Sequence, residues 1–315
     1  MMTEMPPSPF VQRCLASFES PTNVFFVVDL NLGGDLFSHF GSRVTEGGIS
    51  KFPESEGRVI LAELALAIVH VHAHGYLHKD IKIENVMLDH RGHVKLVDFG
   101  YGEFLNADVE TVEFVGTVTY MAPELIRYHT GGRHTDWWAY GVVAYELLTG
   151  FFPWSSYDDD RAIMREICSQ EEIIYPDDLP SCTLTFLRGL LERNYKIRTG
   201  TVSDREIQSD HFFENADWER LALLECAPAF IPNESPVAGA AIDQVLVSYS
   251  SRSELPESGD LVWYVGFEVV SKHPPYCCQA NDKAGALPRL VVTAEEEVHD
   301  RNADIRRRAN PIWGN

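Results

Sequence analysis

Two patterns of hydrophobic and polar residues follow each other along the chain, and each predicts a different kind of element. The stretch 24–28 is a continuous run of β-branched and aromatic residues, so residues 13–30 are predicted to form two strands. Two shorter strands are predicted at 86–89 and 94–97, because apolar runs there flank a glycine-containing turn. Residues 101–118 show neither pattern and are predicted to be irregular.

Helical spacing of apolar residues prevails in most of the remaining chain up to about residue 209. A long helix is predicted to begin near Pro53, where proline and acidic residues suit a helix N-terminus. Further helices are predicted at 36–40, 136–149, 159–168, 183–192 and 204–209. Few strands followed by many helices indicate an α+β fold rather than an alternating parallel sheet.

The composition changes after about residue 228, where Pro, Ser, Ala, Glu and Gly become frequent. Such a composition buries little apolar surface, so residues 228–260 and 271–315 are predicted to be tails and linkers with little core. The chain has 315 residues, which suits one large domain or two unequal lobes.

The net charge limits the classes of binding partner, and the cysteines indicate the cellular compartment. With 26 basic and 47 acidic residues the formal net charge is −21, which argues against binding nucleic acid or an anionic membrane and favours basic protein partners. The six cysteines form no CxxC motif and indicate free thiols in a reducing compartment, so we expect a cytoplasmic location, with nuclear entry left open. No apolar stretch is long enough to span a membrane, and the N-terminus does not have the pattern of a signal peptide.

Four polar residues near the ends of the two short strands form the candidate chemical site. Phosphoryl transfer needs an acid that accepts a hydroxyl proton, a cation beside the migrating phosphoryl group, and oxygen ligands that hold Mg²⁺ on the phosphates. Asp80, Lys82, Asn85 and Asp98 are residues of these kinds. Each residue alone would more simply be a turn residue, a helix cap or a solvated side chain, and only their combination favours catalysis.

The stretch His-Lys-Asp-Ile-Lys-Ile-Glu-Asn at 78–85, followed by Asp-Phe-Gly at 98–100, resembles the catalytic loop and DFG motif of eukaryotic protein kinases. Other motifs of that family follow in the same order, namely Gly-Thr at 116–117, Ala-Pro-Glu at 122–124, Asp-Trp-Trp at 136–138, and Arg198. The Asp-Trp-Trp sequence and the tail resemble the AGC group. The resemblance covers roughly residues 8–232, with a weaker match near 263–269.

This resemblance implies an α+β protein kinase-like fold, with a mainly helical C-lobe, a truncated N-lobe and an AGC-type C-terminal tail. It divides the chain into an N-lobe part at 1–30, a C-lobe at 31–213, a tail at 214–270 and a flexible extension at 271–315. The implied reaction is transfer of the γ-phosphoryl group of ATP, with Mg²⁺, to serine or threonine of protein substrates. Regulatory proteins are further possible partners.

The resemblance also assigns roles to single residues. Asp80 is expected to be the catalytic base, and Lys82 to contact the γ-phosphate. Asn85 and Asp98 are expected to bind Mg²⁺. Thr117 is expected to brace the catalytic loop and to favour a serine or threonine acceptor.

Other residues are expected to bind the nucleotide or to support the site. Asp29 and Leu30 would form the hinge against adenine, with Met87 as the floor of the pocket. Asp35 would reach the ribose or a substrate arginine, or would simply be a solvated acid. The expected structural residues are His78, Phe99 and Gly100 beside the catalytic loop, Asp136 as the anchor of its backbone, and the buried ion pair of Glu124 with Arg198.

Two departures from the family pattern suggest built-in regulation. Lys79 stands where the family usually has an arginine that grips a phosphothreonine, and Glu113 stands at the matching phosphothreonine position. We therefore expect a weaker Lys79–Glu113 pair in place of the phosphorylated pair, against the alternative of a surface glutamate. Glu268 likewise stands at the phosphorylatable position of a segment, 264–268, that resembles the AGC hydrophobic motif, against the alternative of an ordinary amphipathic strand.

Substrate preference is predicted from acidic residues. Glu84, Glu146 and Asp35 match positions where AGC kinases read substrate arginines, although each could also be a solvated acid. Together with the net charge of −21, they favour protein substrates with basic motifs.

Three expected parts of an active kinase are not found in these 315 residues: the glycine-rich GxGxxG loop, the lysine of the third strand and the glutamate of helix C. We therefore expect an unpaired sheet edge and weak or no phosphorylation by this chain alone. Two explanations stay open. The sequence is a fragment of a full kinase, which the intact catalytic residues favour, or it is a non-catalytic kinase-like scaffold that binds protein partners.

Overall fold

A computed structural model describes residues 5–19, 24–45, 48–105, 113–156 and 159–232, together with the backbone of strands at 262–264, 267–269 and 289–293. The helices are α1 (Leu36–Ser42), α2 (Glu54–Ala73), α3 (Pro123–Tyr128), α4 (Arg133–Thr149), α5 (Asp160–Ile167), α6 (Ser181–Leu190), α7 (Arg205–Gln208) and α8 (Trp218–Ala222). Short 3₁₀ turns lie at Ile83–Asn85, Val118–Tyr120 and His211–Phe213.

The strands are β1 (Cys14–Glu19), β2 (Val24–Asp29), β3 (Tyr76–Leu77), β4 (Val86–Leu88), β5 (Val94–Leu96), β6 (Glu103–Phe104), β7 (Val262–Tyr264), β8 (Phe267–Val269) and β9 (Arg289–Thr293). The elements predicted from hydrophobic spacing are present within a few residues of their expected bounds. Helices α3 and α8 and strands β3 and β6 are among the elements that the hydrophobic pattern did not predict.

Helices α2 and α4 form the centre of the large helical lobe. Trp137, Trp138 and Tyr140 of α4 are fully buried, and the Tyr140 hydroxyl donates a 2.9 Å hydrogen bond to the Leu61 carbonyl of α2. This bond satisfies a polar group that burial would otherwise leave without water. The core is therefore continuous from the helix that precedes the catalytic loop to the helix that carries Asp136.

A glycine sets the distance between α4 and α6. A Cβ atom at Gly141 would lie 2.8 Å from the Leu190 Cβ, closer than two carbon atoms can pack. The two helices can approach this closely because Gly141 has no side chain.

The small sheet has the order β1-β2-β9, with antiparallel pairing on both sides of β2. The pairs with β9 run from Phe25 opposite Thr293 to Asp29 opposite Arg289. The sequence predicts an unpaired edge, and this pairing differs from that expectation at β2. The flexible extension expected at 271–315 lies mostly outside the described residues and stays a prediction. Strand β9 covers one edge of β2 with five backbone positions, which the composition of the surrounding tail gives no reason to expect.

The stretch up to residue 232 also packs on the core, although little core is predicted after residue 228. The Phe230 ring stacks on Phe52, with centroids 5.8 Å apart. The Arg43 guanidinium lies 4.3 Å from the Phe230 ring centroid and 4.5 Å from the Phe52 ring centroid. Cation–π and stacking contacts thus hold this stretch against α1 and the start of α2.

The segment expected to resemble the AGC hydrophobic motif falls on β7 and β8, which pair as an antiparallel hairpin with Glu268 opposite Trp263. Residues 265 and 266 between the strands lie outside the described residues. The regulatory role expected of Glu268 therefore stays a prediction. Among the helices that the structure describes, none combines the length and the apolar character needed to cross a membrane.

Candidate active site

The catalytic loop is held from below by Asp136, which lies in the first turn of α4 and is 1% exposed. Its carboxylate accepts hydrogen bonds from the backbone N–H groups of His78 and Lys79, each at 2.9 Å. The His72 Nε2 atom lies 2.9 Å from the same carboxylate. The structure thus places Asp136 where the sequence expects the anchor of the loop backbone.

His72 lies between two carboxylates at the end of α2. Its Nδ1 atom is 3.2 Å from the Asp204 Oδ1 atom, while Nε2 faces Asp136. An imidazole donates from both nitrogens only when it is protonated. Burial alone would lower the pKa of His72, but the hydrogen bonds to the two carboxylates raise it above its usual value. The raised pKa favours a protonated imidazole, which can donate to both Asp136 and Asp204, a contact that motif reasoning missed.

We expect the stabilising contribution of His72 to decrease as the pH rises. Its folded-state pKa lies above the unfolded value of about 6.5, so the contribution is complete below about pH 6.5 and is lost as the pH rises through the folded-state pKa. The measurement is the free energy of unfolding in urea of the wild type and His72→Gln, between about pH 6 and about pH 9. The difference in free energy of unfolding between the wild type and His72→Gln should become smaller as the pH rises.

A matched control is His211→Gln, because His211 also lies near a carboxylate, that of Glu214, but is exposed. This variant should show little pH-dependent difference from the wild type. A His72→Gln difference that grows above about pH 7 would contradict the assignment of a charged, doubly bonded imidazole.

His78 is a buried and neutral part of the loop. Its Nε2 atom donates to the Val97 carbonyl at 3.0 Å, and its Nδ1 atom accepts from the Asp80 N–H at 3.3 Å. Burial lowers the pKa of His78, which agrees with one donating and one accepting nitrogen. The ring packs edge-on against Phe99, with centroids 4.7 Å apart. His78 thereby fixes the catalytic loop to the strand that leads to Asp98.

The Asp80 carboxylate is surrounded by donors from three residues. Its Oδ1 atom accepts from the Thr117 N–H at 3.0 Å and from the Thr117 hydroxyl at 2.9 Å. Its Oδ2 atom accepts from Asn85 Nδ2 at 3.0 Å and lies 2.8 Å from Lys82 Nζ. Lys82 Nζ also donates to the Thr117 hydroxyl at 2.9 Å. The sequence predicts Asp80, Lys82 and Asn85 as parts of one site, and the family resemblance adds Thr117. The structure brings these four residues together.

A glycine permits the close approach of Thr117 to the catalytic loop. Gly116 has a φ of 109°, and a Cβ atom there would lie 2.6 Å from the Lys79 carbonyl oxygen. A larger residue would push the segment away from Asp80 and would also be strained in this left-handed backbone region. The Gly-Thr pair is therefore needed for geometry as well as for the hydroxyl.

Asp98 follows β5 with an exposed side chain and a φ of 60°. Left-handed backbone in a non-glycine residue costs about 1–3 kcal/mol and is typical of functional sites. Its Oδ1 atom accepts from the Gly100 N–H at 3.2 Å, which turns the chain directly after Asp98. The Asp98 carboxylate is thus presented to solvent directly after the end of β5.

Asn85 and Asp98 fit a Mg²⁺ ion. The Asn85 amide nitrogen donates hydrogen bonds to the Asp80 carbonyl, at 2.8 Å, and to the Asp80 carboxylate. The Asn85 Oδ1 atom therefore remains available as a ligand. No group of three His, Cys, Asp or Glu that could hold a metal occurs within the described residues. Mg²⁺ sites commonly use one or two protein oxygens together with substrate phosphates.

Arg198 and Glu124 form a buried ion pair under the site. Arg198 donates to both carboxylate oxygens of Glu124, at 2.5 and 2.8 Å, and both residues are 1% exposed. Arg198 also donates to the backbone carbonyls of Glu192 and His134, at 2.8 and 2.9 Å. The pair ties α3, which follows Thr117, to the loop after α6.

Residues 1–213 match the family model of the protein kinase domain, which is more than half of the chain. The chain belongs to the protein kinase family. Ribosomal protein S6 kinase 2 alpha of Xenopus laevis is 35% identical over 227 residues, which are 71% of this chain and 30% of that protein. Ribosomal protein S6 kinase alpha-6 of Homo sapiens is 34% identical over 225 residues, or 71% of this chain and 29% of that protein.

A probable serine/threonine-protein kinase of Dictyostelium discoideum is 33% identical over 226 residues, which are 71% of this chain and 48% of that protein. The kinase chain described here thus spans less than half the length of these relatives. The match and the relatives confirm the predicted AGC-type kinase and its α+β kinase fold.

The hinge side of the kinase is held by a polar pair that motif reasoning missed. Asn31 is buried, and its Nδ2 atom donates to Gln12 Oε1 at 3.2 Å and lies 3.7 Å from the Met87 sulfur. Gln12 Nε2 in turn donates to the Asp29 carbonyl at 2.6 Å. The Asp29 carboxylate pairs with Arg13 at 3.2 Å. These contacts link Asp29 through Gln12 and Asn31 to Met87. The hinge role expected of Asp29 and Leu30 stays a prediction.

All three acids expected to read substrate arginines have interactions within the kinase. Asp35 is the N-cap of α1, and its two oxygens accept from the Ser38 N–H and hydroxyl at 2.7 and 2.8 Å. Glu146 is 4% exposed and accepts from the Tyr120 hydroxyl at 2.7 Å. Glu84 is half-buried within the 3₁₀ turn beside Asn85. Of the three acids, Glu84 lies closest in sequence to the catalytic Asp80.

The expected Lys79–Glu113 pair is wrong. The Lys79 ammonium lies 2.6 Å from the Glu103 carboxylate, while Glu113 is exposed. Glu103 is on β6, which pairs with β3 immediately before the catalytic loop. Backbone pairing therefore brings Glu103 next to Lys79, and sequence spacing alone could not show that neighbour because β6 was not predicted.

Proposed function

We propose that the protein to which this chain belongs transfers the γ-phosphoryl group of ATP to serine or threonine hydroxyls of protein substrates that carry basic residues. The observation that supports this most strongly is the joint arrangement of Thr117, Lys82 and Asn85 around the Asp80 carboxylate. A carboxylate, an ammonium group and a hydroxyl-bearing residue are held within hydrogen-bond distance of each other. Kinase catalysis rests on such positioning and on charge stabilisation.

In this proposal the Asp80 carboxylate accepts the proton of the acceptor hydroxyl as its oxygen bonds to the γ-phosphorus. The bond between the γ-phosphorus and the bridging oxygen breaks, and ADP leaves with that oxygen. The Lys82 ammonium lies beside both Asp80 and Thr117 and can turn to the γ-phosphoryl oxygens. Asn85 and Asp98 would hold Mg²⁺, which neutralises phosphate charge when it is bound.

We propose that Glu84 contributes to the recognition of a basic substrate, because it lies on the 3₁₀ turn that carries Asn85. A carboxylate on the turn that carries Asn85 can pair with an arginine of a peptide whose hydroxyl faces Asp80. The net charge of −21 adds a long-range attraction for basic peptides.

The proposal is tested by transfer of labelled phosphate from ATP to two peptides that differ only in arginine or alanine before the acceptor serine. These 315 residues contain no GxGxxG loop, so we expect transfer far below the rate of about 1–100 s⁻¹ typical of kinases. We expect faster transfer to the arginine peptide and a further loss of about 10²–10⁴-fold in Asp80→Asn.

Glu84→Gln should reduce the preference for arginine, whereas Glu214→Gln, an exposed acid at the far side of α7, should leave it unchanged. Equal rates for the wild type and Asp80→Asn would contradict the catalytic assignment. Saturable ATP binding without any transfer would favour the alternative of a non-catalytic scaffold for protein partners.

A further inference from the structure

Lys79 is held in an unusual conformation by contacts on two sides. Its φ is 70°, a left-handed value that non-glycine residues rarely adopt. Its backbone N–H donates to the Asp136 Oδ1 atom at 2.9 Å, and its ammonium donates to the Glu103 Oε2 atom at 2.6 Å. Strained residues persist only where the surroundings fix them. Since Asp80 is the next residue, the contacts of Lys79 also set the position of the catalytic carboxylate.

Glu103 joins the catalytic loop to the segment that carries Asp98. Strand β6 begins three residues after Gly100, and Glu103 is directly opposite Leu77 in the β3–β6 ladder. The next pair of the ladder brings the Phe104 and Tyr76 rings edge to face, with centroids 5.3 Å apart. The ion pair and the ladder therefore connect the same two stretches of chain, one ending in Asp80 and the other beginning with Asp98.

The charge of Lys79 is balanced within the protein. Its side chain is 4% exposed, and a buried ammonium without a partner would be strongly unfavourable. Glu103, whose side chain is 38% exposed, supplies the counter-charge. At the position that matches the usual phosphothreonine stands Glu113, which is exposed, and the neighbouring Phe114 ring contacts His129 with centroids 5.5 Å apart.

We propose that Glu103 is a positioning residue that takes the place of an activation-segment phosphate in this kinase. The inference rests on the proposed function and adds how that site is regulated. Because Glu103 already neutralises Lys79, the catalytic loop and the Asp98 segment are held together without phosphorylation of the segment around Glu113. A phosphate placed near Lys79 would be repelled by the Glu103 carboxylate. The Lys79 ammonium would stabilise that phosphate little, because it is already paired with Glu103.

The test compares the whole chain, treated with phosphatase, with Glu103→Gln and with the control Glu113→Gln. The first readout is amide hydrogen exchange at residues 76–80 and 99–105, which needs no turnover. We expect the wild type to stay protected after phosphatase treatment and Glu113→Gln to match it. Glu103→Gln should exchange about tenfold faster or more in both stretches, since it loses a hydrogen bond between charged groups.

The exchanged pair Lys79→Glu with Glu103→Lys separates this role from a general loss of folding. It should recover most of the protection that Glu103→Gln loses, at a thermal midpoint close to that of the wild type. The second readout is peptide phosphorylation, in which Glu103→Gln should lower kcat with little change in the KM for ATP. Unchanged exchange in Glu103→Gln, or faster exchange of the wild type after phosphatase treatment, would overturn the inference.

The two proposals fail in different ways. If exchange behaves as expected but Asp80→Asn transfers phosphate as fast as the wild type, the proposed function fails and the positioning role of Glu103 stands. If the wild type transfers phosphate only when its activation segment is phosphorylated, the proposed function stands and the role of Glu103 is refuted.

Discussion

Replacing Arg198 by methionine is expected to lower the free energy of unfolding by about 3–5 kcal/mol. Methionine fills much of the same space, but it leaves the Glu124 carboxylate, which is 1% exposed, without its bidentate partner. It also removes the donors to the carbonyls of Glu192 and His134. Such a loss is a large part of the stability of about 5–15 kcal/mol that domains usually have. The measurement is urea unfolding followed by circular dichroism.

Two comparisons make this expectation specific. The double variant Arg198→Met with Glu124→Leu removes both charges and should be more stable than Arg198→Met alone, because no uncompensated buried charge remains. Arg165→Met disrupts an exposed pair with Asp159, with N···O at 3.7 Å, and should cost less than about 1 kcal/mol. An Arg198→Met protein as stable as Arg165→Met would show that the buried pair does not hold α3 in place.

The hydrophobic pattern was sufficient to predict the long elements of the fold. Helix α4 and strands β4 and β5 were predicted within a few residues, and so was the start of helix α2. Helix α4 is buried on all sides from Thr135 to Thr149, so its long apolar stretch predicts it rather than one repeating face. Helix α3 has six residues and ends at His129, whose φ of 53° stops the helix. An element of this length contains too few turns for its spacing to be recognised.

The pairing of β2 with β9 could not be predicted from the pattern for a different reason. The two strands are far apart in sequence, with Val27 opposite Val291, and their pairing depends on backbone groups that every residue carries. The composition of the tail around β9 indicates little core. Composition cannot show that β2 has an edge with which a distant strand can pair. Long-range backbone pairing of this kind becomes visible only in three dimensions.

The candidate site was predicted more fully than the fold, because its motifs occur in the order typical of the protein kinase family. Asp80, Lys82, Asn85 and Thr117 lie in hydrogen-bond contact. Asp35 caps a helix, whereas the sequence left open a contact with ribose or a substrate arginine and a solvated acid. The partner of Lys79 was misplaced because the choice between Glu103 and Glu113 depends on a two-residue ladder. The contribution of His72 was missed because its partners Asp136 and Asp204 lie 64 and 132 residues away.

The second large effect is expected for the binding of Mg²⁺ and ATP. Asp98 presents its carboxylate to solvent, and the Asn85 amide nitrogen donates to Asp80, which leaves the Asn85 Oδ1 atom available as a ligand. Mutation of groups that merely support a metal ligand commonly lowers metal affinity by about 10–100-fold. Replacing the ligand Asp98 by asparagine should therefore cost at least about tenfold. Asp89→Asn, which affects the turn after β4, is the matched control.

The most direct test of the account is calorimetry of ATP binding to the purified chain, with and without Mg²⁺, for the wild type, Asp98→Asn and Asp89→Asn. We expect saturable binding to the wild type that strengthens with Mg²⁺, loss of the Mg²⁺ effect in Asp98→Asn, and no change in Asp89→Asn. ATP binding that is the same with and without Mg²⁺, or that Asp98→Asn leaves intact, would contradict the assignment of this site to phosphoryl transfer.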